Sequence, residues 1–267
     1  MDNSNVKNIW NNWSETWYQK YRTEEVITKI INNPESVFHP ITWAMLKSTY
    51  SNLNGKRICV PSSGNNHAVF AFHLMGASVT SVDISERQLE HSAEIANKNS
   101  WDIEFVCDDT RCLGTITSNE YDFVYTSNGV HIWIDDLNSM YKNIYRILKS
   151  NGNYLMFDVH PFTRPFGDDI EKLTVVRPYN STGPILIENV PRFTWRMQDL
   201  MNAMISSGLC IHQLEEMYAE DGSFWVDESE YTVGIHKQEQ LDKLCDWQRN
   251  PLAALPQWLS IKAAKHT

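Results

Sequence analysis

Small and acidic side chains recur where predicted strands end, and their spacing indicates a site for a nucleoside. Gly64 follows an apolar run at 57–60, and Asp83 follows a second run at 78–82, nineteen positions after Gly64. A glycine turn lets backbone N–H groups approach a ligand, and an acid at the next strand end accepts hydrogen bonds from ribose hydroxyls. We therefore predict that Gly64 and Asp83 bind the nucleoside part of a ligand.

The turn around Gly64 differs from the three-glycine turn of dinucleotide sites. Ser62 and Asn66 occupy the other two small positions, so the pattern G-x-G-x-x-G is absent. Dinucleotide sites use those glycines to bring the backbone close to a pyrophosphate. The sequence therefore disfavours NAD and FAD and favours a ligand with an adenosine but no phosphate. Pro61, Ser62 and Ser63 are predicted to line the site together with Gly64.

Two further strand ends place polar side chains at the same edge of the predicted sheet. Asp109 and Thr110 follow the third apolar run, and Ser127 and Asn128 follow the fourth. The carboxyl ends of parallel strands meet along one edge, where ligands bind in open α/β sheets. We expect these four residues to lie near Gly64. The alternative for Asp109 is a solvated aspartate in a turn.

The end of the fifth predicted strand holds the acid and base candidates. Asp158 and His160 lie there, and an acid at this edge can attract a cationic acceptor or accept its proton. His131, in the loop after the fourth strand, is predicted to be either a base or a packed histidine. The alternative for Asp158 is a turn acid, and for His160 a side chain held extended by Pro161.

The stretch at 57–85, with its small-residue turn and Asp83, resembles motif I of the class I S-adenosylmethionine-dependent methyltransferases. The small-residue loop after the fourth strand is similar to the fourth motif of that family. The resemblance implies that S-adenosyl-L-methionine is the cofactor and that Asp83 binds its ribose. It further implies that Asp109 contacts the adenine amino group and that Thr110 lies beside the ring. This chain has Val60 where the family usually has an acid.

The same resemblance implies the rest of the site. Ser127 and Asn128 would lie under the methionine portion of the cofactor, and Tyr18, on an aromatic N-terminal helix, would lie near the sulfonium. An insertion after the fifth strand usually covers the acceptor pocket in this family. The residues that we expect to contact the acceptor are Trp17, Phe38, Phe162 and Trp195.

The resemblance implies an α/β, Rossmann-like class I methyltransferase fold. Its mostly parallel seven-stranded sheet would be flanked by helices, with an N-terminal helical lid and an insertion after strand five. We expect one domain over residues 1–267, with the lid at 1–50, the donor-binding core at 55–160 and the acceptor-side cover at 163–230. Further predictions are short antiparallel strands at 173–176 and 192–195 and a last strand at 258–264, antiparallel at the sheet edge.

Composition limits the partners and the compartment. The net charge of −10 disfavours nucleic acid and would favour a cationic substrate, although solubility alone explains an acidic surface. The five cysteines form no C-x-x-C pair, and Cys59 and Cys107 fall in predicted buried strands, which indicates reduced thiols in the cytoplasm. The start of the chain does not resemble a signal peptide, and no apolar run reaches the roughly 18 residues of a membrane span.

The whole chain, including the aromatic N-terminal helix and the DVHPF strand end, is similar to the bacterial group that contains the plantazolicin N-methyltransferases. That group dimethylates the N-terminal arginine amine of a thiazole/oxazole-modified peptide. We therefore predict N-methylation of an amine in a small or peptidic substrate, by a monomer or homodimer without a metal. The alternatives are an O- or S-methyltransferase acting on a small metabolite and a catalytically silent S-adenosylmethionine-binding protein.

Overall fold

A computed structural model describes residues 4–187, 189–226 and 238–266 of the chain. Its central strands are buried over nearly their whole length, as expected for strands that are covered on both faces. The strands are β1 (Arg57–Pro61), β2 (Ser78–Asp83), β3 (Ile103–Cys107), β4 (Tyr121–Ser127), β5 (Leu148–Val159), β6 (Ile185–Ile187), β7 (Val190–Arg192), β8 (Leu209–Met217) and β9 (Trp258–Lys265).

Side chains that precede several of the helices satisfy free N–H groups of their first turns. Ser85 accepts a hydrogen bond from the Gln88 N–H, and Asp136 accepts one from the Ser139 N–H. The helices are α1 (Ser4–Glu15), α2 (Glu24–Asn32), α3 (Pro40–Thr49), α4 (His67–Leu74), α5 (Glu86–Lys98), α6 (Leu137–Ile147), α7 (Met197–Ser206) and α8 (Gln238–Leu244). Within the described ranges, no helix has the length and apolar character that crossing a membrane requires.

A seven-stranded sheet of order β3-β2-β1-β4-β5-β9-β8 forms the centre. The pairs from β3 to β5 are parallel, and β9 is antiparallel to both β5 and β8. The predicted mostly parallel, Rossmann-like α/β sheet is confirmed. One prediction was wrong: β9 does not lie at the sheet edge but pairs with both β5 and β8, and β8 is the edge strand.

Two hydrophobic cores lie on the two faces of the sheet. Ile58 and Val60 of β1 belong to the core that α2, α3 and α4 cover, whereas Cys59 belongs to the core that α6 and α7 cover. Successive side chains of a strand point to opposite faces, so each strand supplies both cores. This alternation also determines which side chains at the strand ends can reach a common site.

The insertion after β5 forms its strands at positions that the sequence did not predict. The hairpin consists of β6 and β7 and not of 173–176 and 192–195, and Asn189, with a φ of 63°, supplies the left-handed turn residue that a tight hairpin needs. Val175 makes only an isolated bridge to Phe166. Residues 227–230 of the predicted acceptor-side cover lie outside the described residues. Cys59 is buried as predicted, but Cys107 is exposed.

Candidate active site

The turn between β1 and α4 has three left-handed residues in quick succession. Ser62, Gly64 and Asn66 have φ angles of 52°, 55° and 62°. The Ser63 N–H donates to the Val82 carbonyl over 3.1 Å, and the Asn66 side chain donates to the Gly64 carbonyl over 2.9 Å. These bonds hold the turn against the end of β2, so its backbone is preorganised before a ligand arrives.

Asp83 fixes the same turn from the end of β2. One carboxylate oxygen accepts the Gly64 N–H and the other accepts the Ser85 N–H, each at 2.9 Å. Burial raises the pKa of Asp83, and these backbone hydrogen bonds oppose that shift. Each oxygen keeps a second lone pair, so the carboxylate can also accept hydrogen bonds from a ligand.

Asp109 is held by a half-buried arginine. Arg111 donates to Asp109 and to Asp135, at 2.6 Å in each case. The hydrogen bond with Asp109 raises the pKa of Arg111, so the guanidinium remains charged and the Asp109 carboxylate is fixed in one orientation. The neighbouring Thr110 hydroxyl lies 2.7 Å from the Ser62 hydroxyl, which joins the ends of β1 and β3.

A cavity opens along the carboxyl ends of β1 to β4. The structure brings nine of the ten predicted cofactor residues to it. The exception is Pro61, which is buried in β1, where it pairs with Val82. The predicted residues that line the cavity are Tyr18, Ser62, Ser63, Gly64, Asp83, Asp109, Thr110, Ser127 and Asn128.

Aromatic rings enclose the rest of the cavity. Trp10 packs against Tyr18 and Trp133, with ring centroids 5.5 and 5.6 Å apart, and Tyr125 and Phe157 form part of the opposite wall. Such ring faces attract cations. Of these five residues the sequence analysis assigned only Tyr18 to the site. Strand alternation could have predicted Tyr125 and Phe157 as wall residues. Tyr125 lies on the same face of β4 as the predicted Ser127, and Phe157 of β5 pairs with Ser127.

Asp158 lies away from the expected site, and His131 takes the packed one of its two predicted alternatives. They line a separate small cavity beneath the loop that follows β4. The Asp158 carboxylate accepts the His131 Nδ1–H, the Gly129 N–H at 2.6 Å and the Val159 N–H at 2.7 Å. His131 Nε2 bonds to the Tyr141 hydroxyl at 2.7 Å. Asp158 points away from the main cavity because it alternates with Phe157 along β5.

His160 is also turned away from the main cavity. Its side chain is fully buried and its Nδ1 accepts the Phe162 N–H at 3.1 Å, so its Nε2 donates to Glu216 over 2.8 Å. Burial lowers the pKa of His160, and the Glu216 carboxylate opposes that shift. His160 therefore joins the start of the insertion to β8.

The four aromatic residues predicted to contact the acceptor do not line the main cavity. Phe38 is 7% exposed and packs in the core, because burial stabilises a ring that is wholly apolar, and its neighbour Val37 lines the cavity instead. Trp17 is 39% exposed and packs on Tyr18, and Phe162 is 44% exposed and stacks on His160. Trp195 lies at the small second cavity and donates its indole N–H to the Ile134 carbonyl.

The predicted N-terminal lid, which the structure describes from residue 4, lines one end of the main cavity. It is anchored beside the Gly64 turn. Val6 and Trp10 of α1 line the cavity. His67 Nε2 bonds to the Tyr21 carbonyl at 2.8 Å, and Arg22 donates to the Ser14 carbonyl at 2.8 Å. The N-terminal segment is thus held directly by the first turn of α4.

The donor set of this cavity suits an adenosine sulfonium. Asp83 can accept from ribose hydroxyls, the backbone at Gly64 is open to close approach, and aromatic faces are present for a cationic sulfur. Residues 62–152 match the sequence family described as a methyltransferase domain. The chain carries a class I S-adenosylmethionine-dependent methyltransferase domain. Its cofactor is S-adenosyl-L-methionine.

Known proteins with similar sequences or folds agree with this assignment. The methyltransferase is 24% identical to the uncharacterised methyltransferase YbaJ of Bacillus subtilis strain 168 over 200 residues, which cover 70% of this chain and 77% of YbaJ. Its fold is similar to that of an S-adenosylmethionine-dependent methyltransferase from Mesorhizobium loti, with a TM-score of 0.63, 21% identity and coverage of 84% and 97% of the two chains. It is also similar to an N-methyltransferase from Haemonchus contortus in complex with phosphomonomethylethanolamine and S-adenosylhomocysteine, with a TM-score of 0.58, 18% identity and coverage of 85% and 52%.

Replacing Gly64 by alanine should weaken S-adenosylhomocysteine binding about ten-fold, roughly 1.4 kcal/mol. A Cβ at Gly64 meets only the Tyr18 hydroxyl, 4.0 Å away, but the φ of +55° is costly for any L-residue, about 1–2 kcal/mol. Gly55→Ala is the matched control, because Gly55 has a φ of +68° with nothing within 4 Å of the added Cβ. Both variants should lose similar stability in urea, and only Gly64→Ala should lose affinity in calorimetry. Equal affinities for the two variants would contradict a close approach of ligand to Gly64.

Proposed function

We propose that this methyltransferase transfers its methyl group to the nitrogen of an amine in a small or peptidic substrate. The proposal rests on the kinds of side chain that line the cavity. The lining is aromatic and hydroxylic, and the sequence-predicted acid and base groups Asp158, His131 and His160 are hydrogen-bonded elsewhere. A neutral amine already has a free lone pair, so it needs no base, whereas a hydroxyl acceptor does.

The titratable residues of the described lining support the same conclusion. Apart from Asp83 and Asp109, they are His67, Tyr18 and Tyr125. Burial lowers the pKa of His67, whose Nε2–H is used by the Tyr21 carbonyl, and burial raises the pKa of Tyr125 well above the phenol range. Tyr125 therefore stays protonated at neutral pH and can donate a hydrogen bond but cannot act as a base.

Bound S-adenosyl-L-methionine supplies a methyl group activated by a sulfonium. In the proposed mechanism Asp83 would hold the ribose and Asp109 the adenine amino group, with Thr110 beside the ring and the loop at 127–129 near the methionine portion. The aromatic rings exclude water and position the acceptor nitrogen in line with the carbon–sulfur bond. Such positioning can contribute about 7–11 kcal/mol to rate acceleration, so no further catalytic group is needed.

Asp158 has a proposed role as a positioning residue. Its carboxylate accepts the Gly129 N–H and fixes the end of the cavity-lining loop that contains Ser127 and Asn128. Because the loop follows β4 directly, a shift of its backbone would change the direction from which the acceptor approaches. Asp158 would then influence methyl transfer through Gly129 and without touching the acceptor.

The proposed substrate is cationic in its resting form. A net charge of −10 and a ring-lined cavity both favour an ammonium group near the protein. The narrowest version of the proposal is the N-terminal arginine amine of a thiazole/oxazole-modified peptide, which the whole-chain sequence resemblance supports. All five cysteines are unpaired, in keeping with a proposed reaction in the reducing cytoplasm.

The deciding experiment is turnover of labelled S-adenosylmethionine with matched amines, thiols and phenols of similar size and shape. The proposal expects label in amines, and most of all in those with an arginine-like or peptide N-terminus. Transfer only to thiols or phenols would establish the O- or S-methyltransferase alternative. Tight S-adenosylhomocysteine binding in calorimetry without turnover on any acceptor would establish a silent binding protein.

The pH dependence should follow the acceptor and not the enzyme. For a peptide α-amine with a pKa of about 7.7–8.0, kcat/KM should rise about ten-fold per pH unit below that value and level off above it. With a lysine-like amine, whose pKa is about 10.4, the pH at which kcat/KM levels off (the break in the profile) should rise to about that value. A break that stays at one pH for both amines would identify an enzymic base and would overturn base-free transfer.

A further inference from the structure

Two histidines and a cysteine meet at the opposite end of the sheet from the cofactor cavity. The ligand atoms of Cys210, His212 and His266 all lie within 4.8 Å of one another, and all three side chains are exposed. The Nε2 atoms of the two histidines face each other at 3.1 Å, with their rings nearly perpendicular. Nothing in the proposed reaction uses these residues.

Strand pairing brings the three residues together. Cys210 and His212 lie on β8, and His266 follows β9, whose last residue, Lys265, pairs with Leu209. The register shifts between Ile211 and Gln213, so His212 has no partner on β9. An extra residue of this kind redirects its side chain, here toward the other two ligands.

The ligand set suits a late first-row divalent metal. A thiolate and two imidazoles are typical ligands of Zn²⁺, whereas Mg²⁺ and Ca²⁺ prefer oxygen. With Zn–N bonds of about 2.0–2.1 Å at a tetrahedral angle, two nitrogens lie roughly 3.3 Å apart. The observed separation of 3.1 Å therefore already approaches that of two coordinated imidazoles, and the Cys210 sulfur lies within 4.8 Å of a ligand nitrogen of each histidine.

We propose that Cys210, His212 and His266 form a Zn²⁺ site that fastens the end of β9 to the edge strand β8. The site is distant from methyl transfer, because the end of β9 lies beside the start of β5, where the Lys265 ammonium bonds to the Leu148 carbonyl. The cofactor cavity lies at the other ends of these strands. Metal binding therefore stabilises the sheet edge and leaves cofactor affinity unchanged.

Cobalt titration of the metal-free full-length protein tests the site. We expect one Co²⁺ per chain, with visible d–d bands and a near-ultraviolet thiolate charge-transfer band, and displacement of Co²⁺ by Zn²⁺. Cys210→Ser should abolish the thiolate band and weaken Co²⁺ binding at least ten-fold. Cys245→Ser is the matched control, because Cys245 is also an exposed unpaired thiol, and it should leave both unchanged.

Two further measurements keep the proposal open to refutation. Zn²⁺ should raise the thermal midpoint of the wild type and of Cys245→Ser, but not that of Cys210→Ser or His266→Gln, and S-adenosylhomocysteine affinity should be equal with and without Zn²⁺. The same Co²⁺ spectrum and affinity in Cys210→Ser as in the wild type would overturn the site, as would less than one metal per chain. In that case the two histidines would form only a hydrogen bond.

Discussion

Asp83→Asn is expected to raise the dissociation constant of S-adenosylhomocysteine about 100-fold, which corresponds to roughly 2.7 kcal/mol. The variant loses a charged acceptor for ribose hydroxyls, and a hydrogen bond to a charged group contributes about 1.5–3 kcal/mol. It also disturbs the turn, because both Asp83 oxygens accept backbone N–H groups, those of Gly64 and Ser85. An amide NH₂ in either orientation would face one of these donors. Calorimetry with S-adenosylhomocysteine measures the effect directly.

The matched control for Asp83→Asn is Asp102→Asn. Asp102 is exposed and precedes β3. Its substitution therefore removes one negative charge at the end of the parallel strands that lies opposite the cavity. Its affinity for S-adenosylhomocysteine should stay within about two-fold of the wild type, because an exposed charge at such a distance is screened. If Asp83→Asn binds as well as this control, Asp83 does not hold the ribose and the proposed orientation of the cofactor is wrong.

Asp158→Ala should lower the free energy of unfolding by about 3–5 kcal/mol, because at least two buried donors lose their acceptor and each unpaired donor costs about 1–3 kcal/mol. Asp158 is 3% exposed, and its loss would leave the Gly129 N–H and the His131 ring without their shared acceptor. Urea unfolding followed by tryptophan fluorescence and circular dichroism gives the difference. The folded variant should also transfer methyl groups more slowly, since the loop at 127–129 loses the acceptor of its Gly129 N–H.

Glu216→Ala is the matched control for Asp158→Ala. It also removes a carboxylate that accepts from a buried histidine, His160, but the Glu216 side chain is 47% exposed. Water can replace the Glu216 carboxylate, so the free energy of unfolding should fall by less than about 1 kcal/mol. Similar losses in the two variants would contradict the structural role of Asp158.

Acid unfolding provides a second readout for Asp158. Burial favours its protonated form, but the hydrogen bond and charge of His131 outweigh burial and place the pKa of Asp158 below its ordinary value of 3.8. A lowered native pKa means that the carboxylate contributes stability above the unfolded-state pKa and loses it as the pH falls through the native one. The wild type should therefore lose this part of its stability in acid, and Asp158→Ala should show no such component.

Much of the cofactor site could be predicted from the sequence because its signals are local. A small-residue turn at Gly64, an acid at Asp83 and polar residues at 109–110 and 127–128 each lie at or just after the end of a predicted strand. In a parallel sheet such strand ends share one edge, whatever the rest of the chain does. Of the ten residues predicted to bind the cofactor, nine line the cavity, and eight of those nine lie at or just after predicted strand ends.

The acceptor side could not be predicted in the same way, because it depends on which face a side chain occupies. Asp158 and Phe157 are neighbours in the chain, yet only Phe157 lines the main cavity, and a shift of one residue in register would exchange them. Val37 and Phe38, which precede α3, are also neighbours of which only Val37 lines the cavity. The sequence shows that these residues are close to the edge but does not determine their direction.

The sequence by itself determined a parallel α/β sheet with an adenosine site at its carboxyl edge, since periodicity and turn chemistry act over a few residues. Only the tertiary structure decided that β9 lies inside the sheet, that Asp158 pairs with His131, and that Trp10 meets Trp133 over the cavity. Each of these contacts joins segments far apart in the chain. Their formation depends on packing and strand order, which local sequence patterns do not encode.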